Sequence, residues 1–105
     1  MYYNISVELR YKRHKYSIDT KHYEVLYGVV RELGAFSREQ VEEILSVIQR
    51  DLEDQADVAS WLEGSRMVRI YVKADTLMEI LNILNVEVNF PIENTYDYVL
   101  EIKRR

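Results

Sequence analysis

The 105-residue sequence contains no cysteine, only three glycines, one proline and two histidines. Without cysteine, the chain cannot form disulfides, thiolate zinc sites or a cysteine nucleophile. Few glycines and a single proline leave no low-complexity linker, and no internal repeat is visible. Together with a hydrophobic content of 48%, these absences predict one compact domain over residues 1–105.

Long apolar runs are absent as well. A membrane-spanning helix needs about 18 or more consecutive apolar residues, and no stretch approaches that length. The first ten residues, MYYNISVELR, lack the basic start, apolar stretch and cleavage site of a secretory signal. We therefore expect a soluble, cytoplasmic protein. The many tyrosines and isoleucines are also compatible with a viral or thermophilic origin.

Motifs of catalytic and cofactor sites are missing too. The sequence contains neither of the two common Gly-rich phosphate-binding loops, G-x-x-x-x-G-K-[ST] and G-x-G-x-x-G. It also lacks the G-x-S-x-G elbow that presents a nucleophilic serine. His14 and His22 do not form an H-x-H or H-E-x-x-H arrangement, so we predict no metal site and no cofactor. An enzyme is the third hypothesis, because scattered residues can still assemble in a cleft.

Alternation of apolar and polar residues predicts several half-buried strands. The first runs from Tyr3 to Tyr11, and a short hairpin partner is expected at residues 16–18 after a turn at residues 12–15. Three later segments alternate in the same way: Met67 to Lys73, Val86 to Phe90 and Tyr96 to Ile102.

Apolar residues at helical spacing predict helices from Tyr23 to Leu33, from Ser37 to Leu62 and from Leu77 to Leu84. The resulting order, β(β)ααβαββ, indicates an α+β domain. We predict a two-layer sandwich, an antiparallel or mixed sheet of four to five strands covered on one face by three helices, loosely ferredoxin-like. For the first helix we expect Asp19 or Thr20 as N-cap and Gly34 as C-cap, and for the second a capping box at Ser37–Gln40. The third helix is expected to start with a capping box of Thr76 and Glu79 and to end at a left-handed Asn85.

The predicted helix at 37–62 is too long for a compact domain of this size. If straight, it would measure about 39 Å, whereas such a domain has a diameter of about 33 Å. Trp61 would then lie opposite the apolar stripe, on the side of Val47 and Val58. Either the helix breaks near Ala59 and Trp61 returns to the core, or Trp61 stays exposed and anchors a partner.

Our leading hypothesis is a small, non-enzymatic interaction or regulatory protein that binds another protein and forms a homodimer. Asp51, Asp54 and Asp57 share one helix face, which offers a weak divalent-cation site or a solvated acidic surface. We expect the solvated surface, because one helix face supplies few ligands. The predicted interface consists of Val47, Val58 and Trp61 as the apolar anchor and Glu53, Asp54 and Asp57 as the polar rim.

The alternative hypothesis is a nucleic-acid-binding module. The segment ELRYKRHKYSID concentrates cations in a chain whose net charge is −4, and it is either a solvated hairpin turn or a contact for phosphates. The basic tail at residues 103–105 joins this cluster only if both lie at the same end of the sheet. The candidate nucleic-acid residues are Arg10, Lys12, Arg13, Lys15, Tyr71 and Lys73.

Overall fold

The computed structural model describes residues 2–16, 21–51, 62–94 and 96–105. These ranges contain four strands and two longer helices, and residues 62–64 are also helical. In chain order the elements are β1 (Tyr2–Tyr16), β2 (Lys21–Ser37), α1 (Arg38–Asp51), β3 (Met67–Val72), α2 (Ala74–Leu84) and β4 (Tyr96–Arg104).

The four strands form one sheet in the order β2-β1-β4-β3, and every neighbouring pair is antiparallel. The α+β class and the antiparallel sheet are therefore confirmed. A fifth strand and the ferredoxin-like arrangement are not. A ferredoxin-like domain follows the order β-α-β-β-α-β, whereas here two strands precede the first helix.

The core lies between one face of the sheet and the two longer helices. Alternation along β1 turns Tyr3, Ile5, Val7 and Leu9 inward, and each is at most 6% exposed. The intervening residues of β1 face the other side of the sheet, which we call the open face. The buried cluster also takes residues from β3, β4 and both helices: Val68, Ile70, Val72, Leu100, Ile102, Val41, Ile44, Leu45, Ile48, Leu77, Ile80, Leu81 and Leu84.

The segment from Tyr23 to Leu33 is a strand, so its prediction as a helix is wrong. It forms most of β2, which pairs with β1 over fifteen residue pairs, from Tyr2↔Ser37 to Tyr16↔Lys21. Its β-branched and aromatic residues suit a pleated surface better than a helix. Asp19 and Thr20, the expected N-caps, lie outside the described residues.

Two β-bulges explain why the apolar pattern of β2 resembles that of a helix. The register shifts after Ile5 and after Tyr11, and each shift leaves one β2 residue, Leu33 or Leu26, without a partner on β1. An inserted residue breaks the two-residue alternation, so apolar residues recur at intervals of three or four. Gly34, expected as a C-cap, instead pairs with Ile5 and has φ 132°, a value that favours glycine.

Two of the predicted helix ends are confirmed. The Ser37 hydroxyl accepts a hydrogen bond from the Gln40 backbone N–H at 3.3 Å, and the Gln40 side-chain oxygen accepts one from the Ser37 N–H at 3.0 Å. This reciprocal capping box starts α1. At the end of α2, Asn85 is left-handed with φ 55°, and the Val86 N–H donates to the Leu81 carbonyl at 3.0 Å.

Three other boundaries differ from the prediction. Thr76 does not cap α2, because the helix starts two residues earlier, after Lys73, and Thr76 is buried within it. The alternating segment at residues 86–90 is irregular, and its apolar side chains pack onto the core without joining the sheet. Residues 12–15, predicted as a turn, continue β1. Helix α1 covers Arg38–Asp51, and most of the remainder of the predicted 37–62 helix lies outside the described residues.

Tyr98 holds the irregular segment before β4 against the sheet. Its side chain is fully buried, and its hydroxyl oxygen accepts a hydrogen bond from the Glu93 N–H at 2.8 Å. The carbonyl oxygens of Pro91 and Glu93 lie 3.1 and 3.2 Å away as acceptors for the phenolic proton. Burial raises the pKa of Tyr98, because a phenolate is poorly solvated there.

Replacing Tyr98 by Phe tests this arrangement. The ring remains, but the Glu93 N–H and the neighbouring carbonyl groups lose their partner, so we expect a loss of about 1–3 kcal/mol in the free energy of unfolding. Urea titration followed by circular dichroism measures it. Tyr2→Phe removes an exposed hydroxyl and serves as the matched control, with an expected change within about 0.5 kcal/mol. Equal effects of the two substitutions would contradict the clamping role of Tyr98.

Candidate functional site

The long hairpin of β1 and β2 extends beyond the rest of the sheet. Strand β4 pairs with β1 only from Tyr3↔Arg104 to Tyr11↔Tyr96. Pairing between β1 and β2 continues for five further pairs, from Lys12↔Val25 to Tyr16↔Lys21. Residues 12–16 and 21–25 therefore form a two-stranded ribbon, about 17 Å long at about 3.4 Å per residue. The ribbon is consistent with the elongated dimensions of the molecule, 52 × 32 × 22 Å.

In sequence, the ribbon is the most basic part of the β1–β2 hairpin. Its ten residues contain four lysines or arginines and one glutamate, a net charge of +3, besides two histidines. Since the whole chain has a net charge of −4, the other residues together carry −7. The backbone pairing thus places a cationic projection on an anionic body.

At the base of the ribbon, Arg10 is held by two neighbours on the open face. Its Nε donates to Glu8 Oε1 at 2.9 Å, and its Nη1 donates to the Tyr71 hydroxyl at 2.6 Å. The guanidinium carbon also lies 5.5 Å from the centre of the Tyr71 ring, within cation–π range. Strand order explains the meeting, because Glu8 pairs with Val99 and Val99 pairs with Tyr71.

Glu8 joins this arrangement to Arg69. Its second carboxylate oxygen accepts from Arg69 Nη2 at 2.9 Å, and Arg69 Nε lies 3.7 Å from Glu101. The hydrogen bond from Arg10, together with the charges of both arginines, lowers the pKa of Glu8. The same carboxylate raises the pKa of Arg10. We call Glu8, Arg10, Arg69, Tyr71 and Glu101 the open-face network.

The open-face network affects both the burial and the charge of this side of the sheet. Val99 lies on the open face in register with Glu8 and Tyr71, yet it is only 4% exposed. We infer that the surrounding long side chains cover it. Arg10 and Arg69 both contact carboxylates of the chain, so the open face offers phosphates less positive charge than its sequence suggests.

The six predicted nucleic-acid residues lie at one end of the molecule. Arg10 is level with Asp97 in the register, and Lys73 directly follows β3 at the same end, exposed. Lys12, Arg13 and Lys15 lie in the ribbon. The basic tail lies at the opposite end of the sheet, because Lys103 pairs with Asn4. One continuous patch that joins the tail to the cluster is therefore not formed.

Of the six residues predicted to form the protein interface, Val47 is the one that lies within the described ranges. It is buried, with 8% of its surface exposed. We expected it on the exposed side of the helix. Val47 follows Ile44 by three residues, so the two side chains are neighbours on the surface of α1. Val47 is therefore buried beside the apolar stripe instead of lying opposite it. The other five residues of this interface, Glu53, Asp54, Asp57, Val58 and Trp61, lie outside the described residues, and the interface through them stays a prediction.

Within the described ranges, no helix has the length and apolar content that crossing a lipid bilayer requires. In the same part of the chain, no group of three or more histidine, aspartate or glutamate side chains is placed to hold a metal ion. Comparisons with known protein families, curated proteins and solved structures found no match.

The alternation predicted for residues 3–11 and 67–73 puts Glu8, Arg10, Arg69 and Tyr71 on the polar sides of their strands, but it does not predict the contacts between them. Those contacts depend on β4 lying between β1 and β3, which no local pattern specifies. The ribbon was missed because β2 was predicted as a helix. The available signal was the density of valine and tyrosine from Tyr23 to Val30, which favours a strand.

Glu8→Gln tests the network by its pH dependence. The folded-state pKa of Glu8 lies below the ordinary value of 4.5, so the carboxylate stabilises the folded state above that pH. This contribution is lost as the pH falls through the lowered folded-state pKa. We expect Glu8→Gln to lower the free energy of unfolding near pH 7, and the difference from wild type to shrink below about pH 4.5.

Urea titrations of both proteins between about pH 3 and pH 7 measure this difference. Glu87→Gln, at an exposed position in the irregular segment before β4, is the control and should change stability by less than about 0.5 kcal/mol. A Glu8→Gln effect that is the same at both ends of the pH range would contradict the electrostatic role of Glu8.

Proposed function

We propose that this protein is a non-enzymatic nucleic-acid-binding protein of the cytoplasm, and that the ribbon is its contact with the phosphate backbone. The observation that carries the proposal is the continuation of β1–β2 pairing past the end of β4. Two antiparallel strands lie about 5 Å apart, and the major groove of B-form DNA, about 12 Å wide, admits such a ribbon.

The distribution of charge supports the ribbon as the point of contact. Phosphates attract its excess of lysine and arginine, whereas the net charge of −7 on the remaining chain repels them. The acidic body therefore orients the molecule with the ribbon towards the nucleic acid. Lys73 and Tyr71, at the base of the ribbon, extend the contact to the sheet end.

The open face is not the main contact in this proposal. Its two arginines already donate to Glu8, and Glu101 lies near Arg69. A phosphate would have to compete with these carboxylates, which reduces the gain in free energy. Binding by the ribbon alone engages few phosphates, so we expect a modest affinity with strong dependence on salt and weak dependence on base sequence.

Fluorescence anisotropy with a labelled duplex tests the proposal. We expect saturable binding at about 50 mM salt that weakens markedly at about 200 mM. The ribbon variant Lys12→Ser, Arg13→Ser, Lys15→Ser should bind far more weakly. The slope of log affinity against log salt should fall by about one for each phosphate that the variant no longer neutralises.

A second triple variant provides a control with the same change in charge. Arg66→Ser, Lys103→Ser, Arg105→Ser removes three cations at or near the opposite end of the sheet. We expect it to bind almost as the wild type does. No anisotropy change at about 50 mM salt, or equal weakening in both triple variants, would contradict the ribbon as the binding element. A labelled single strand, measured in parallel, shows whether the duplex groove is required.

A second candidate function is protein binding through self-association, and the open face favours it. Tyr2, Val30, Met67 and Tyr71 are between 42% and 64% exposed there. Val30 and Tyr71 lie in one cross-strand row at the two edges of the sheet. Because charges between them are paired within the chain, a second copy can approach this face with little electrostatic repulsion, and exposed aromatic groups are frequent anchors of interfaces.

Light scattering at high micromolar concentration tests the homodimer. We expect about twice the chain mass of 12.6 kDa. The double variant Val30→Ser, Tyr71→Ser should shift the protein to the monomer, because it removes the apolar groups at both edges of the open face. Met78→Ser, at an exposed methionine of α2, is the control. A monomeric mass for the wild type would exclude self-association through this face.

A further inference from the structure

Strand β3 is an edge of the sheet, because it has β4 on one side and no described strand on the other. From Met67 to Val72, exposed and buried side chains alternate along it. An edge strand carries backbone N–H and C=O groups that no neighbour pairs, and such groups are a template for a further strand. The hydrogen bonds of β4 determine which groups of β3 these are.

Two backbone hydrogen bonds fix the direction in which each residue of β4 points. The Arg104 N–H donates to the Arg66 carbonyl oxygen at 2.9 Å, and the Arg105 N–H donates to the Tyr2 carbonyl oxygen at 3.1 Å. In antiparallel strands, residues that bond to one neighbour alternate with residues that point away from it. Even-numbered residues of β4 therefore bond towards β3, and odd-numbered residues bond towards β1.

The register carries this alternation along β3. Met67 pairs with Lys103, so the even-numbered residues of β3 lie opposite the even-numbered residues of β4 and bond to them. The residues whose backbone points away from the sheet are Met67, Arg69 and Tyr71, which we call the outward residues. Among the described residues, no backbone hydrogen bond outside the helices and strands involves them. Their N–H and C=O groups are therefore available to a strand laid along β3.

The side chains along this edge are cationic. Residues 65–74 contain Arg66, Arg69 and Lys73 and no aspartate or glutamate. All three are exposed, and none of the ion pairs found within the described ranges involves Arg66 or Lys73. Arg69 donates to Glu8, yet 46% of its side chain is exposed. Since opposite charges on neighbouring strands stabilise their pairing, these cations favour a strand that carries carboxylates.

The side chains of β3 also decide what else can pair with it. Symmetric antiparallel pairing with a second copy about Arg69 would place two Arg69 side chains directly opposite each other, and like charges there are destabilising. On the inner face, Val68, Ile70 and Val72 are 6–9% exposed and border the core. A partner residue beside them is therefore in an apolar environment. The edge suits a strand that alternates acidic and apolar residues.

We propose that the edge of β3 binds an acidic, extended segment of another protein, which adds a fifth strand to the sheet. Alternate residues of this segment hydrogen-bond to the outward residues and place carboxylates on the open face. The residues between them are apolar and extend the inner face over the core. The contact is independent of the ribbon, to which β3 contributes no residue.

Nuclear magnetic resonance of the full chain, with the end-blocked peptide Val-Glu-Val-Glu-Val-Glu-Val as the probe, tests the pairing. In a strand its glutamates lie on one face and its valines on the other. In the free protein, the amides of the outward residues should exchange with solvent at least roughly tenfold faster than the amides that bond to β4. Saturation with the peptide should slow the exchange of the outward amides at least roughly tenfold.

Two peptides of the same length are matched controls. With lysine in place of glutamate, the peptide should bind at least roughly tenfold more weakly, because its cations face those of β3. Methylation of the backbone nitrogen of the central glutamate keeps the charge and the valines but removes one N–H donor. That peptide should bind at least several-fold more weakly. Together the controls separate strand pairing from attraction by charge or by apolar contact.

A double variant of the chain tests the cations at the two ends of β3. Arg66→Ser, Lys73→Ser should bind the glutamate peptide several-fold more weakly by calorimetry. Arg31→Ser, Arg105→Ser removes two exposed cations that are not on β3, and it should bind within about twofold of the wild type. The ribbon variant should bind the peptide nearly as the wild type does, which separates this result from the test of nucleic-acid binding.

Several results would overturn the proposal. They are no saturable binding of the glutamate peptide, equal binding of either control peptide, unchanged exchange of the outward amides in the bound state, or equal weakening in the two double variants. Slow exchange of the outward amides in the free protein, together with twice the chain mass, would also overturn it, because a second copy would then cover the edge.

Discussion

The position of β1 between β2 and β4 is the constraint on which the rest of the structure depends. A central strand is paired along both edges, so its two faces and its two ends define separate environments. The inner face of β1 supplies a row of core residues that α1 and α2 cover, and the open face supplies Glu8 and Arg10. Its last five residues continue past β4 and, with β2, make the ribbon.

This geometry separates cations of similar sequence context into different roles. Arg10 lies where β4 and β3 are its neighbours, so Glu8 and Tyr71 are within reach and hold it. Lys12, only two residues later, lies beyond the end of β4 pairing, where the strand has β2 as its partner. The backbone of Arg10 therefore has both β2 and β4 beside it, whereas that of Lys12 pairs with β2 beyond the end of β4.

The two ends of the sheet also differ in their chemistry. At the ribbon end, the backbone pairing of β1 and β2 carries four lysine or arginine residues past the end of β4. At the other end, Tyr3 of β1 pairs with Arg104 of β4 near the start of α1, and apolar and charged side chains together line a pocket there.

Local patterns in the sequence were sufficient for much of the fold. The alternation of β1, β3 and β4, the Ser37–Gln40 capping box and the left-handed Asn85 all depend on residues close together in the chain, and all appear in the structure. The α+β class follows from these elements. What the local patterns could not supply was β2, because the bulges that leave Leu33 and Leu26 unpaired exist only through pairing with β1.

The candidate sites depended on tertiary contacts to a greater degree. The sequence identified the cationic residues, but their separation into network, ribbon and distant tail came from the strand order β2-β1-β4-β3. The burial of Val47 and the unsatisfied Nε of Arg104 likewise arise from packing between distant segments. Periodicity and capping are short-range effects that residue order encodes directly, whereas the environment of a charge is set by whichever distant strand or helix lies against it.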